Sequence, residues 1–215
     1  MNRISLIILA TLLLTISNLT EAAKLKQRAY SKQSETMGVI LMHVNWGRQW
    51  SCANYQNAQL VSLQFEKTSL ARQGKNKNTE IQLKTPSRLS VNPVDLPYGF
   101  LVEPGTYAFT SWSIKAARSM KDVGYLKASH EELVDDTKYL GGTVNVEAGE
   151  VIYIGHFDLD CAYSPVPWRY YAEGKESFEN QKAEYRKEFK FLRNEEIKYR
   201  LLETTNYGRA YILED

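Results

Sequence analysis

Val102-Glu103-Pro104-Gly105-Thr106-Tyr107 and Val146-Glu147-Ala148-Gly149-Glu150-Val151-Ile152-Tyr153 are two versions of one pattern. Each is an apolar, β-prone run, a glutamate, a tight turn built on glycine, and a second β-prone run holding a tyrosine. Proline pre-sets the first turn dihedral and glycine accepts a positive φ, so Pro104-Gly105 predicts a hairpin joining residues 100–102 to 106–114. The second copy turns at Ala148-Gly149 and runs on into Gly155-His156-Phe157-Asp158-Leu159-Asp160-Cys161. The copies begin 44 residues apart (146 − 102 = 44). Their surroundings do not match, and residues 115–137 have no counterpart after Cys161. The likeness is repeated turn chemistry rather than a duplicated unit.

The rest of the chain reads as short strands between glycine and proline turns. Residues 37–46 are apolar on both faces, as a central strand is, with His43 on the face of Val39 and Leu41. That histidine reads as a half-buried group hydrogen-bonded near a strand end. Val61, Leu63 and Phe65 alternate with Ser62 and Gln64, the mark of a half-buried antiparallel strand. Ile81 and Leu83 mark another. Residues 71–78 are a basic loop, either a solvated tip or a polyanion contact.

Residues 115–137 are the least β-like. Within them Ser129-His130-Glu131-Glu132 fits a capping box opening a short helix, with His130 facing solvent. Residues 164–171 are a proline-stiffened aromatic segment, read as a lid over one end of the core or as a docking surface. Phe178, Lys182, Tyr185, Phe189 and Leu192 form a helical stripe that predicts an amphipathic helix over 176–192, with the Lys182 stem buried and its amine wet. Residues 197–202 and 207–213 alternate as a final hairpin would. These signals predict a mainly β fold, an antiparallel β-sandwich with one C-terminal amphipathic helix, occupying 37–215 as a single domain.

The N-terminus reads as an address. Arg3, the apolar run 4–16 and the small residues Thr20 and Ala22 fit a signal peptide over 1–22, with a mature start near Ala23. The run is shorter than the roughly 20 residues a spanning helix needs, which disfavours an uncleaved anchor. No cysteine stands near the cleavage point to take a lipid, so the protein is expected to be periplasmic or secreted and not a lipoprotein. No N-x-Ser/Thr acceptor follows residue 22. Residues 23–36 are basic, polar and aperiodic, which predicts a flexible leader. The formal net charge of +2 gives no reason to expect nucleic acid or an acidic membrane as partner. The only cysteines, Cys52 and Cys161, are expected to form a disulfide in an oxidising compartment.

The densest chemical cluster is His156, Asp158 and Asp160, which share a strand face. One histidine and two carboxylates suit a divalent metal. On a straight strand, however, positions i and i+4 lie about 13 Å apart at about 3.3 Å per residue, too far for one ion. The preferred reading is a strand leaving the core and becoming wet. No G-x-S-x-G, H-E-x-x-H, C-x-x-C or phosphate-cradling glycine loop is present. No cofactor and no catalytic residue is expected.

Val102, Pro104, Gly105 and Tyr107, followed by Ala148, Gly149, Tyr153 and Gly155, resemble exported bacterial β-sandwich proteins of unknown function. These carry a Leu/Val-x-Pro-Gly-x-Tyr element and an Ala-Gly-x-x-x-Tyr-x-Gly strand. The resemblance covers residues 100–157 and implies a transthyretin-like or immunoglobulin-like sandwich. Many members of that group are lipoproteins, and this chain lacks their acceptor cysteine. The expected function is a non-catalytic envelope or secreted protein that binds a protein, peptide or glycan through Trp168, Tyr170 and Tyr171. The alternative is a small hydrolase or metal-dependent enzyme using the His156-Asp158-Asp160 strand end.

Overall fold

The computed structural model describes residues 23–71, 81–86, 95–135 and 138–214. The signal peptide expected over 1–22 and nearly all of the basic loop 71–78 lie outside the described residues. Two sheets pack face to face. The first has the order β1 (Ala23–Lys24), β6 (Asp95–Val102), β2 (Gly38–Asn45), β10 (Val151–Asp160), β11 (Val166–Tyr170), with β12 (Ile197–Tyr199) also on β10. The second has the order β3 (Arg48–Cys52), β4 (Tyr55–Lys67), β7 (Gly105–Ala117), β8 (Val123–Ala128). In it β5 (Ile81–Lys84) lies on β4 and β9 (Thr143–Val146) on β7. Helices are α1 (Gln27–Gln33), the short turns α2 (Thr68–Ala71) and α3 (His130–Leu133), and α4 (Gly174–Glu188). A 3-10 turn over Lys190–Leu192 follows α4. The fold is therefore mainly β, a sandwich with an amphipathic helix on it.

The twin turns are not hairpins. Pro104-Gly105 takes the chain from β6 in the first sheet to β7 in the second, and Ala148-Gly149 returns it from β9 to β10. They sit side by side, because Gly105 pairs with Val146 and Gly38 pairs with Val102. Gly149 N–H donates to the Met37 carbonyl at 2.9 Å, and φ is +145° at Gly105 and +76° at Gly149. Each corner is pinned by polar side chains. Tyr107 O–H donates back to the Glu103 carbonyl at 2.9 Å, and Lys67 Nζ meets Glu103 Oε2 at 2.9 Å.

At the second corner Glu150, 8% exposed, accepts from Lys198, Arg200 and the Glu147 N–H. The Arg200 guanidinium, helped by Lys198, holds its carboxyl down at about 2. A depressed carboxylate contributes stability that is present above its unfolded value near 4.5 and is lost as pH falls through about 2. Because Arg200 and Lys198 are a third or more exposed, the contribution is discounted to on the order of 2 kcal/mol. Glu150→Gln is expected to lose that amount at pH 7 and to flatten the acid limb between pH 4.5 and 2, read by urea unfolding at both ends.

The sandwich core lies between the sheets. Ile40, Met42, Val44 and Trp46 from β2 and the residue that follows it meet Leu60, Leu63 and Phe65 of β4 and Phe109 and Ile114 of β7. Phe65, Phe109 and Phe157 form an aromatic knot with centroids 5.1, 5.5 and 6.1 Å apart. The apolar character of β2 on both faces has a direct cause. Its other face carries Val39 and Leu41 into a second core, with Leu101, Val151 and Tyr153, beneath Tyr30, Phe178, Tyr185, Phe189 and Leu192. The predicted helical stripe is thus the lid of the first sheet. Lys182 lies on this stripe with its side chain mostly covered, its amine 4.9 Å over the Phe178 ring and paired with the exposed Glu179.

Several expectations are corrected. Residues 23–36 are not a loose leader: β1 pairs with β6, and Leu25 and Tyr30 are buried. One aliphatic and one aromatic anchor among ten polar residues suffice to dock the segment. Residues 115–137 contain the end of β7 and all of β8, an edge strand that is mostly exposed and so lacks the alternation of a half-buried one. The capping box is present, with Ser129 N–H donating to Glu132 Oε2 at 2.6 Å. His130 faces Glu66 at 3.5 Å rather than solvent alone. Within residues 164–171, Val166–Tyr170 form an edge strand of the first sheet, β11, rather than a lid over one end of the core. The final hairpin does not form. β12 instead runs parallel to β10, and residues 207–213 form no strand; they meet the sheets at the Arg169–Gly208 bridge and through the rings of Tyr207 and Tyr211. The first sheet is also mixed rather than antiparallel, because β10 runs parallel to β2.

Candidate functional site

The strand β10 changes face at one residue. Ile152 and Ile154 point into the sandwich core, and so do Phe157 and Leu159, so one residue is added between them. That residue region is Gly155, with φ +110°, where the β2 pairing slips. The slip has a second effect. The edge of β10 is shared, β12 pairing with Val151–Tyr153 and β11 with His156–Asp160, so a seam opens at Gly155.

Beyond the seam, the outer face carries the polar groups. His156 Nδ1 lies 3.2 Å from the Tyr153 hydroxyl, and its ring stacks on Tyr170 at 5.6 Å. Asp158 accepts from Asn45 at 2.9 Å, Gln49 at 3.2 Å and the Leu159 N–H at 2.7 Å. Asp160 accepts from the Ala162 N–H. Among the described residues no three His, Cys, Asp or Glu side chains are grouped to hold a metal ion. Burial pushes the Asp158 carboxyl up, against the hydrogen bonds that it accepts. Next to His156 in the ladder, His43 is buried, with Nδ1 2.8 Å from the Tyr185 hydroxyl and Nε2 3.5 Å from Glu184.

Burial, the neighbouring His43 and Arg169 hold His156 down at about 4. The sign follows from the base form being favoured in the fold. The unfolded histidine takes up a proton near pH 6.5 and the folded one only near 4, so stability falls as pH drops between these values. The fall is up to about 3 kcal/mol from this residue. His156→Gln is expected to remove most of it, which thermal unfolding at pH 7 and pH 4.5 would show.

The expected aromatic surface divides. Trp168 and Tyr170 lie opposite Asp158 and His156 on the outer face of the first sheet. Tyr171, just past β11, stacks instead on Tyr211 of the C-terminal tail, centroids 4.3 Å apart. Cys52 and Cys161 lie at disulfide distance, Cα atoms 4.6 Å apart, and tie the end of β3 to the end of β10.

A cleft lies elsewhere, where the tail crosses the seam. It measures about 980 Å³ between residues 138–143 and the tail, lined by Leu140, Arg169, Tyr199, Leu201, Tyr211 and Leu213 among others. Arg169 is the unusual member. It is 1% exposed, yet its Nε and Nη1 have no acceptor among the described residues. The position was read in the sequence only as part of an aromatic segment. A glycine in the middle of β10 was the available signal, because it marks a bulge or a close approach.

No protein-family model, no curated protein and no solved structure matches the chain. Among the described residues no helix is long and apolar enough to cross a membrane.

Proposed function

We propose that this chain is a non-catalytic binding protein of the envelope or extracellular space, and that its ligand, of small-molecule or short-peptide size, seats in the cleft under the tail. The observation that carries the reading is the cleft itself. Its volume of about 980 Å³ falls within the range of ligand sites, and it sets leucine and tyrosine walls beside polar residues such as Arg169, Thr204 and Asn206. Export is supported by the N-terminal address and by a cysteine pair suited to an oxidising compartment. The hydrolase or metal-enzyme alternative at His156, Asp158 and Asp160 has less support, since both carboxylates already accept hydrogen bonds from the protein.

Native mass spectrometry of the protein purified from its cells without denaturation tests the cleft. The expected result is a bound molecule that is lost in Leu140→Trp, a substitution at a half-exposed lining position. A bound molecule retained equally by that variant places the ligand elsewhere and sinks the reading. Export is checked by N-terminal sequencing, which is expected to begin near Ala23.

A further inference from the structure

We propose that Arg169 is the anion-binding group of the cleft, and that the ligand it takes is a monocarboxylate with an apolar body. The inference rests on the cleft being the ligand site and adds the ligand's chemistry. Arg169 is built into the fold with care. Its stem fills the space left by Gly155, where a Cβ would come within 2.6 Å of Arg169 Cδ. Its guanidinium fills the space left by Gly208, where a Cβ would come within 3.1 Å of Cζ and Nε. Two glycines on two segments therefore make room for one arginine.

Among the described residues no carboxylate is paired with the charge so housed. Nη2 donates to the Arg209 carbonyl at 2.7 Å, and Cζ lies 5.9 Å from the centre of the Tyr171 ring. Its other electrostatic neighbours are the Tyr199 and Tyr153 hydroxyls, not carboxylates. Three of the five guanidinium N–H bonds sit on Nε and Nη1, which find no acceptor among the described residues. A buried cation without a counter-charge is a heavy cost to carry in the free protein, and one that a bound anion removes.

The surroundings select among anions. A guanidinium edge matches a planar carboxylate with two parallel hydrogen bonds. The other arginine on the cleft, Arg200, is already held by Glu150, and Lys138 and the carboxylate of Glu203 are exposed to water. One unpaired buried charge suits one negative charge, which disfavours a dianionic phosphate. Leu140, Leu201, Leu213, Tyr199 and Tyr211 offer the walls for an apolar chain. Entry takes place by exchange. The carboxylate replaces the Arg209 carbonyl as acceptor, and the tail, held at this point by the Tyr171–Tyr211 stack and the Gly174 N–H to Tyr211 hydroxyl bond, shifts to admit it.

Calorimetric titration of the whole mature protein with octanoate, its neutral analogue octanamide and inorganic phosphate tests this. Octanoate is expected to bind saturably, octanamide at least about tenfold more weakly, and phosphate not at all over the same range. Arg169→Met is expected to erase the preference for octanoate over octanamide while raising the thermal midpoint of the ligand-free protein. Arg169→Lys, which keeps the charge but not the fork, is expected to lose most of the preference. Equal binding of octanoate and octanamide to the wild type would overturn the anion role while leaving the cleft as a binding site. Undiminished octanoate binding by Arg169→Met, or no octanoate binding by the wild type, would overturn it too. The native bound molecule and its loss in Leu140→Trp stand or fall separately.

Discussion

Replacing Cys52 and Cys161 together by serine lowers the stability of the folded protein by about 4–5 kcal/mol. The sequence separation is 109 residues, and the loop-closure entropy that such a cross-link removes from the unfolded chain has that size in the chain-entropy model. The bond has a particular purpose here. It joins β3 at an edge of the second sheet to the far end of β10 in the first, so it closes the end of the sandwich opposite the twin corners. Cys52 is fully buried, and a serine hydroxyl there adds the cost of an unsatisfied polar group. Chemical unfolding of the variant beside the wild type, with and without reductant, is the measurement. The reductant should shift the wild type toward the variant and leave the variant unmoved. A variant within about 1 kcal/mol of the wild type would show that the cross-link constrains little.

Gly155→Ala is expected to be nearly as damaging, at about 2–6 kcal/mol. Two costs add. A non-glycine residue at φ +110° carries backbone strain of about 1–3 kcal/mol. The new methyl also meets Arg169 Cδ at 2.6 Å and the Tyr170 carbonyl at 2.7 Å, an overpacking cost of about 1–3 kcal/mol. The two contacts differ in kind, since one is a side chain and the other is backbone. The double variant Gly155→Ala with Arg169→Ala should therefore recover part of the loss but not all of it. A double-mutant cycle on urea midpoints separates the shares. Strict additivity of the two single changes would mean that Arg169 does not occupy the space of the missing side chain.

These two predictions differ in how far the sequence foretells them. The disulfide follows from an even cysteine pair. The amphipathic helix follows from Phe178 and Tyr185 at helical spacing; Phe189 and Leu192 are buried too but lie past its end at Glu188, the last in a 3-10 turn. The capping box at Ser129 follows from side-chain reach alone. In each case the deciding interaction is local, or there is only one possible partner.

The twin turns show the limit. Pro104-Gly105 and Ala148-Gly149 do turn the chain, as their residues require. Local chemistry cannot say whether the next strand pairs with the previous one or crosses to the facing sheet, because both routes need the same dihedrals. The candidate site is less legible still. Arg169 lies between Trp168 and Tyr170, where alternation alone places a strand residue opposite two aromatics. Its burial depends on Gly155 and Gly208, 14 residues before it and 39 after it (169 − 155; 208 − 169).

By itself the sequence determined a β-rich chain with glycine corners, one covering helix and one cross-link, since each follows from steric, periodic or covalent rules acting over a few residues. Only the tertiary structure decided that the corners switch sheets, that β10 lies parallel to β2, and that β11 and β12 divide one edge. The reason is that strand pairing and burial are set by which distant surfaces meet. The same meeting leaves a guanidinium in a cleft with no carboxylate partner among the described residues.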